Sequence, residues 1–216
     1  MGSSVRKTSA KIKKLLKETI DLNPTVSTKE VIPQVATETL RSKKTKGYFG
    51  DKDFAVLAGG GFACFKKMKA IGLDNFLQEY IEDNKKLTLP QVSKVIEAIL
   101  DGIEEENGEI ESMLILAAFK NAMTKMLLNK IEEPSEFLTN FCEMFIASVI
   151  REDASEELTS AFKDTSIDIF DNDILEFSEH YVKEKFSDLI LRSSNDELDI
   201  KELIQKMQEV IAQEKE

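Results

Sequence analysis

The sequence predicts an all-α protein, an irregular bundle of about eight to ten helices led by a basic, partly mobile N-terminal arm. Three observations carry that expectation. Helix-breaking residues are scarce, with 4 Pro and 9 Gly in 216 residues. Apolar residues recur at helical spacing through most of the chain, and no stretch alternates convincingly as a strand does. Apolar residues reach 42%, enough for a globular core, against 32% charged.

Charge divides the chain. Residues 1–70 carry 15 basic and 6 acidic side chains, and residues 71–216 carry 14 and 34. A front of +9 and a body of −20 lie behind the net charge of −11. The domain reading follows: a basic arm with short helices over 1–50 and an acidic helical domain over 51–216.

Ser9 is placed to cap a first helix, "AKIKKLLKETIDL", with Ile12, Leu15, Leu16 and Ile20 on one face and lysines opposite. "STKE" (Ser27–Glu30) has the capping-box pattern, while Pro33 soon after moves the expected helix start toward itself. Gly47 reads as a C-terminal cap for the tail "RSKKTKG".

Three glycines, Gly59, Gly60 and Gly61, interrupt "DKDFAVLAGGGFACFKKMKAIG". The segment reads as two short helices or as one helix in close packing, with the glycines as a hinge or contact point. A short helix, "LDNFLQEYI", follows, with Asp74 as its cap.

Thr88 and Pro90 open a clearer helix, with Val92, Val95, Ile96, Ile99 and Leu100 on its apolar face. The next segment, "EIESMLILAAFKNAMTKMLLNKI", is apolar nearly all round. It is expected to be the central buried helix, with Leu114, Ala117, Ala118 and Phe119 inside. Beyond Pro134 come "SEFLTNFCEMFIASVIRE", a shorter "SEELTSAFKD", and a long amphipathic "DNDILEFSEHYVKEKFSDLILR" with Asp171 as its cap. A last helix is expected to start near Ser194.

The chemistry-bearing motifs are few. "AGGGFACFKK" lacks both the lysine spacing and the preceding strand of a phosphate loop. Glu176, His180 and Glu184 share one helical face, but Phe177 stands where a Glu-x-x-His metal motif needs its glutamate. A surface ion-paired helix is the favoured reading, with no metal and no cofactor implied. "DIFDNDILEF" lacks the glycine and ligand spacing of a calcium loop. His180 is the only histidine, and Cys142 lies on an apolar face, so no nucleophilic triad is expected. The residues therefore offer no complete catalytic set.

Two cysteines in apolar runs, no apolar signal-peptide core and no bilayer-length apolar stretch lead to an expected cytoplasmic location away from membranes. The basic residues Lys11, Lys13, Lys14, Lys17, Arg41, Lys43, Lys44 and Lys46 are candidates for partner binding. Nucleic acid is one candidate, though aromatic interleaving is sparse; a solvated helix face or docking onto an acidic partner is the other reading. At the start, "MGSS" has no following histidines, and Arg6 stands where myristoylation wants Ser or Thr. Removal of Met1 would leave a free amine on Gly2.

The chain resembles the QatB family, the B component of the four-gene Qat antiphage defence system. The resemblance rests on "MGSS", the basic stretch through "RSKKTKG", "AGGGFACFKKMKAIGL", "QVSKVIEAILDGIEEENGEIESMLILAAF" and "FSEHYVKEKFSDLI". The leader here is shorter than in the family, lysine replaces much arginine, and Pro/Gly-rich sequence is almost absent. The resemblance implies a non-enzymatic member of a bacterial defence complex, alongside an ATPase, a QueC-like enzyme and a TatD-like nuclease. It also implies Gly2 as acceptor of a 7-deazaguanine-type modification by the QueC-like partner. A terminal amine, with a pKa near ~8, is unprotonated far more often than lysine. A nucleic-acid-binding regulator using the basic arm is the alternative expectation.

Overall fold

In the computed structural model, residues 2–82 and 87–213 are described, with side chains from residue 7 onward. Those residues form eleven helices and no strand. In order they are α1 (Gly2–Leu22), α2 (Thr28–Leu40), α3 (Lys43–Phe49), α4 (Lys52–Ile71), α5 (Leu73–Gln78) and α6 (Leu89–Asn107). There follow α7 (Met113–Leu128), α8 (Pro134–Ala161), α9 (Ile167–Lys185), α10 (Ser187–Ser194) and α11 (Ile200–Gln213). The all-α irregular bundle predicted from the sequence is the observed architecture.

The central helix is α8, not α7. Helix α8 packs against α1, α2, α4, α7, α9 and α10. Phe137, Phe141 and Phe145 recur at every fourth position of α8 and are fully buried. Their rings meet Phe65, Phe119, Phe54 and Phe49, with stacked pairs Phe54–Phe141 at 5.1 Å and Phe65–Phe137 at 5.1 Å. Helix α7 buries Ala118 and Phe119 on this core, but Leu114 is half-buried and Ala117 exposed. Being apolar all round did not make α7 central: Met113 at its start is 75% exposed.

Two expected helices are fused in α8. No Gly or Pro separates "SVIRE" from "SEELT", and Ala154, Glu157 and Leu158 of the acidic half are buried. Conversely, the expected helix over "DNDILEFSEHYVKEKFSDLILR" divides at Phe186 into α9 and α10. Helix α11 begins at Ile200, where Asp199 and Glu202 exchange backbone-to-carboxylate bonds of 2.8 and 3.1 Å.

Residues 7–50 do not stand apart from the body. Ile12 and Leu16 of α1, and Val31, Ile32, Val35, Ala36 and Leu40 of α2, are all buried. Their lysine-rich outer faces drew attention in the sequence, but the apolar stripes beneath them dock on α8 and α9. Thr28 Oγ donates to Asp173 at 2.6 Å and Lys29 Nζ reaches Glu176 at 2.7 Å, tying α2 to α9.

Local capping signals coincide with helix ends at some positions and not at others. Ser27 and Glu30 form the capping box of α2, and Thr88 with Gln91 forms that of α6. All five expected apolar residues of α6 are buried. Ser9, however, lies inside α1, and its hydroxyl donates to Glu157 at 2.5 Å instead of capping. Pro33 is accommodated within α2, Gly47 within α3, and Gly50 follows as the C-cap of α3. Gly72 precedes α5, with Asp74 in its first turn, and Ser166 precedes α9. Asp171 instead accepts from Arg151 Nε at 2.6 Å.

Candidate functional site

A groove of about 550 Å³ runs between α8 and α9, closed at one side by Lys125 of α7. On α8 it is lined by Glu136, Thr139, Asn140 and Glu143; on α9 by Glu176, Glu179, His180 and Lys183. Both sets follow the i, i+3, i+4, i+7 spacing of one helical face, so each helix lines the groove with a single face that carries two glutamates.

Glu143 dominates its electrostatics. The residue is 8% exposed, and burial pushes its carboxyl up to about 7. Lys125 opposes the rise, while Glu179 and Glu136 add to it. Lys125 Nζ lies 3.7 Å from Glu143 and 3.9 Å from Glu179, so one ammonium is shared between two carboxylates. Beside them Asn140 Nδ2 donates to the Glu136 carbonyl at 2.8 Å, leaving the buried Oδ1 without a donor. A carboxyl poised near neutrality in a cleft is a physical mark of a functional site.

His180 stands on the rim, its Nε2 3.6 Å from Glu184. Glu176 turns to Lys29. Among the described residues no three His, Cys, Asp or Glu side chains are grouped to hold a metal ion. Both thiols are poor nucleophiles by environment. Burial pushes Cys64 up to about 12 and raises the fully enclosed Cys142 still further.

The candidate partner-binding residues are scattered. Lys11 pairs with Glu38 at 2.8 Å, Lys13 with Glu157 at 3.9 Å and Lys14 with Glu18 at 3.7 Å. Lys44 lies 2.7 Å from both Glu152 and Asp153. Lys17 lines a small cleft between α1 and α8, Arg41 lines another beside α9 and α11, Lys43 is exposed and Lys46 half-buried. Much of the basic charge is thus turned onto the protein's own carboxylates.

Gly59, Gly60 and Gly61 lie within the single helix α4 and do not join two helices. A Cβ on Gly60 would meet Ile103 at 2.6 Å, and one on Gly61 would meet Phe137 at 2.1 Å. Gly60 and Gly61 thus allow the close approach of α6 and α8 to α4, whereas a Cβ on Gly59 would meet only Ile200 at an ordinary 3.7 Å. Gly2 is the first residue of α1, and nothing further of its surroundings is described.

Neither Glu143 nor Asp53 stands out as a candidate from the sequence pattern. Asp53 is 2% exposed and accepts the backbone N–H groups of Glu111 and Ser112 at 2.9 and 2.8 Å. For Glu143 a signal was present, a lone acid within the apolar run "NFCEMFIA". No protein-family model, curated protein or solved structure matches the chain.

Proposed function

We propose that this protein is a non-enzymatic, helical component of a bacterial antiphage defence complex, acting in the cytoplasm through protein–protein contacts. Its partners in this reading are a QueC-like enzyme, an ATPase and a TatD-like nuclease. The observation that carries it is the QatB-like pattern, from "MGSS" through the glycine run to "FSEHYVKEKFSDLI". Two features of the chain are consistent with it. Lys11, Lys13 and Lys44 engage the protein's own carboxylates, which leaves less positive charge for a nucleic-acid backbone. Helix α1 is held to α8 through the Ser9–Glu157 hydrogen bond, and Gly2 lies seven residues before Ser9, roughly 10 Å along a helix axis.

In this reading the Gly2 amine accepts a 7-deazaguanine-type group from the QueC-like partner. Co-expression with that partner followed by intact-mass and peptide mass spectrometry tests it. The N-terminal peptide gains a purine-sized mass, and Gly2→Val abolishes the gain while leaving the unfolding midpoint unchanged. An unmodified N-terminus in a fully active defence system removes Gly2 from the function and leaves scaffolding.

A further inference from the structure

Helix α6 ends in a residue pair with chemistry of its own. Asn107 is its last residue, Gly108 follows, and this is the only Asn-Gly pair in the chain. Every other asparagine is followed by a residue with a side chain. Asparagine is among the thermolabile residues, and a following glycine puts no Cβ beside the backbone nitrogen that can attack its amide. Both residues are exposed, and a Cβ on Gly108 would meet nothing within 4 Å, so no neighbouring element covers the pair.

The helix end holds that chemistry in check. Asn107 Nδ2 donates to the Ile103 carbonyl at 2.9 Å, which turns the amide back along the helix. Gly108 N–H donates to the Glu104 carbonyl at 2.8 Å, which occupies the attacking nitrogen. Beyond it, Ile110 N–H donates to Glu104 Oε1 at 3.1 Å, and Ile110 is itself buried. Asp53 then takes the N–H groups of Glu111 and Ser112. Reaction therefore requires the last residues of α6 to open while the loop after them stays pinned. Helix ends open at lower cost than helix interiors.

We infer that Asn107–Gly108 is a spontaneous modification site, deamidating at a rate set by the opening of the α6 C-cap. In the opened state the Gly108 nitrogen gives its proton to hydroxide and attacks Asn107 Cγ. The new C–N bond closes a succinimide ring, and the side-chain nitrogen leaves as ammonia. Water then opens the ring at either carbonyl, to aspartate or to isoaspartate. The product places a carboxylate among Glu104, Glu105, Glu106 and Glu109, at the helix end where the dipole disfavours negative charge. It also removes the donor to the Ile103 carbonyl. The modification thus loosens the connection between α6 and α7. This goes beyond the defence reading and does not depend on it.

Incubation of the full chain in mildly alkaline buffer, followed by digestion and peptide mass spectrometry, tests the site. The peptide carrying Asn107 should gain the mass of an amide-to-acid exchange before any other asparagine peptide does. Unfolding the chain in guanidinium chloride should speed the gain by about tenfold or more, since two hydrogen bonds no longer have to open first. Glu104→Ala removes the side-chain bond to Ile110 and should speed it about threefold in the folded chain. Glu105→Ala, exposed and one residue on, removes the same charge without that bond and should speed it less. Asn107→Asp, which carries the charge of the product, should unfold at a lower temperature than the wild type. An Asn107 peptide that reacts no faster than the others overturns the site. Equal rates in the folded and unfolded chain, or equal acceleration in the two glutamate variants, overturn the control by the cap. An unchanged midpoint in Asn107→Asp overturns the loosening. Thermal unfolding checks the fold of each variant, and the comparison of folded with unfolded wild-type chain stands whether or not Glu104→Ala folds.

Discussion

A Cβ on Gly61 would lie 2.1 Å from Cζ of Phe137. The ring cannot retreat, because it is fully buried, stacked on Phe65 and Phe141 and met edge-on by Phe119. Gly61→Ala therefore forces α4 away from α8 despite the better helix propensity of alanine. A net loss of about 1–3 kcal/mol is expected in urea denaturation. Gly59→Ala should go the other way: its nearest neighbour, Ile200 Cγ2, would sit at an ordinary 3.7 Å. A gain of about 0.4–1 kcal/mol is expected, and matching signs for the two variants would contradict this packing.

Phe119→Ala removes a ring with no exposure from the contact of α7 with α8. The expected cost is about 3–5 kcal/mol by chemical denaturation. Ala117→Ser on the exposed face of the same helix should change the midpoint by less than about 0.5 kcal/mol. Near-equal effects would mean that the two faces of α7 are not distinguished as described.

How legible these features were depends on how local their causes are. Thr88, Pro90 and Gln91 announce the start of α6 within four residues, and its buried face follows from spacing alone. The central place of α8 was not legible, because its acidic half is buried by α1, more than a hundred residues away in sequence. Helix α7 shows the converse, since hydrophobicity all round does not say which face meets a partner. The α8–α9 groove was least visible. Glu136, Asn140 and Glu143 sit among core phenylalanines in sequence, and only the approach of Glu179 and His180 makes a site of them. His180 shares a helical face with Glu176 and Glu184 by spacing, yet Glu176 bonds Lys29.

Glu143 gives the stability a pH dependence of definite sign. Its carboxyl is raised from 4.5 unfolded to about 7 folded, so the folded state binds more protons in that window. Stability from this group is greatest below the unfolded value and falls as pH rises through 4.5 toward about 7. Above that, the buried carboxylate costs roughly 1–3 kcal/mol. Glu143→Gln should flatten this limb of the stability–pH curve and raise the unfolding midpoint on its alkaline side. An unchanged slope between mildly acidic and mildly alkaline buffer would place the titration elsewhere.

Lys44 joins the basic front to the acidic body. Burial pulls its ammonium down, but the hydrogen bonds with Asp153 and Glu152 more than reverse this and hold it above the ordinary lysine value. The Asp153 side chain is only 5% exposed, so Lys44→Met would strand a carboxylate beneath α3. A loss of about 1–3 kcal/mol is expected, smaller than for a wholly buried pair because Lys44 itself is 25% exposed. Hydrogen exchange locates the effect. In the wild-type chain the amides around Ile12–Leu16 and Val31–Leu40 should be strongly protected, since those stripes lie within the core. Lys44→Met should speed exchange in α3 and the end of α2 first, with α6 unaffected. Fast exchange throughout residues 7–50 of the wild-type monomer would instead mean that the front half detaches readily, as a basic arm would.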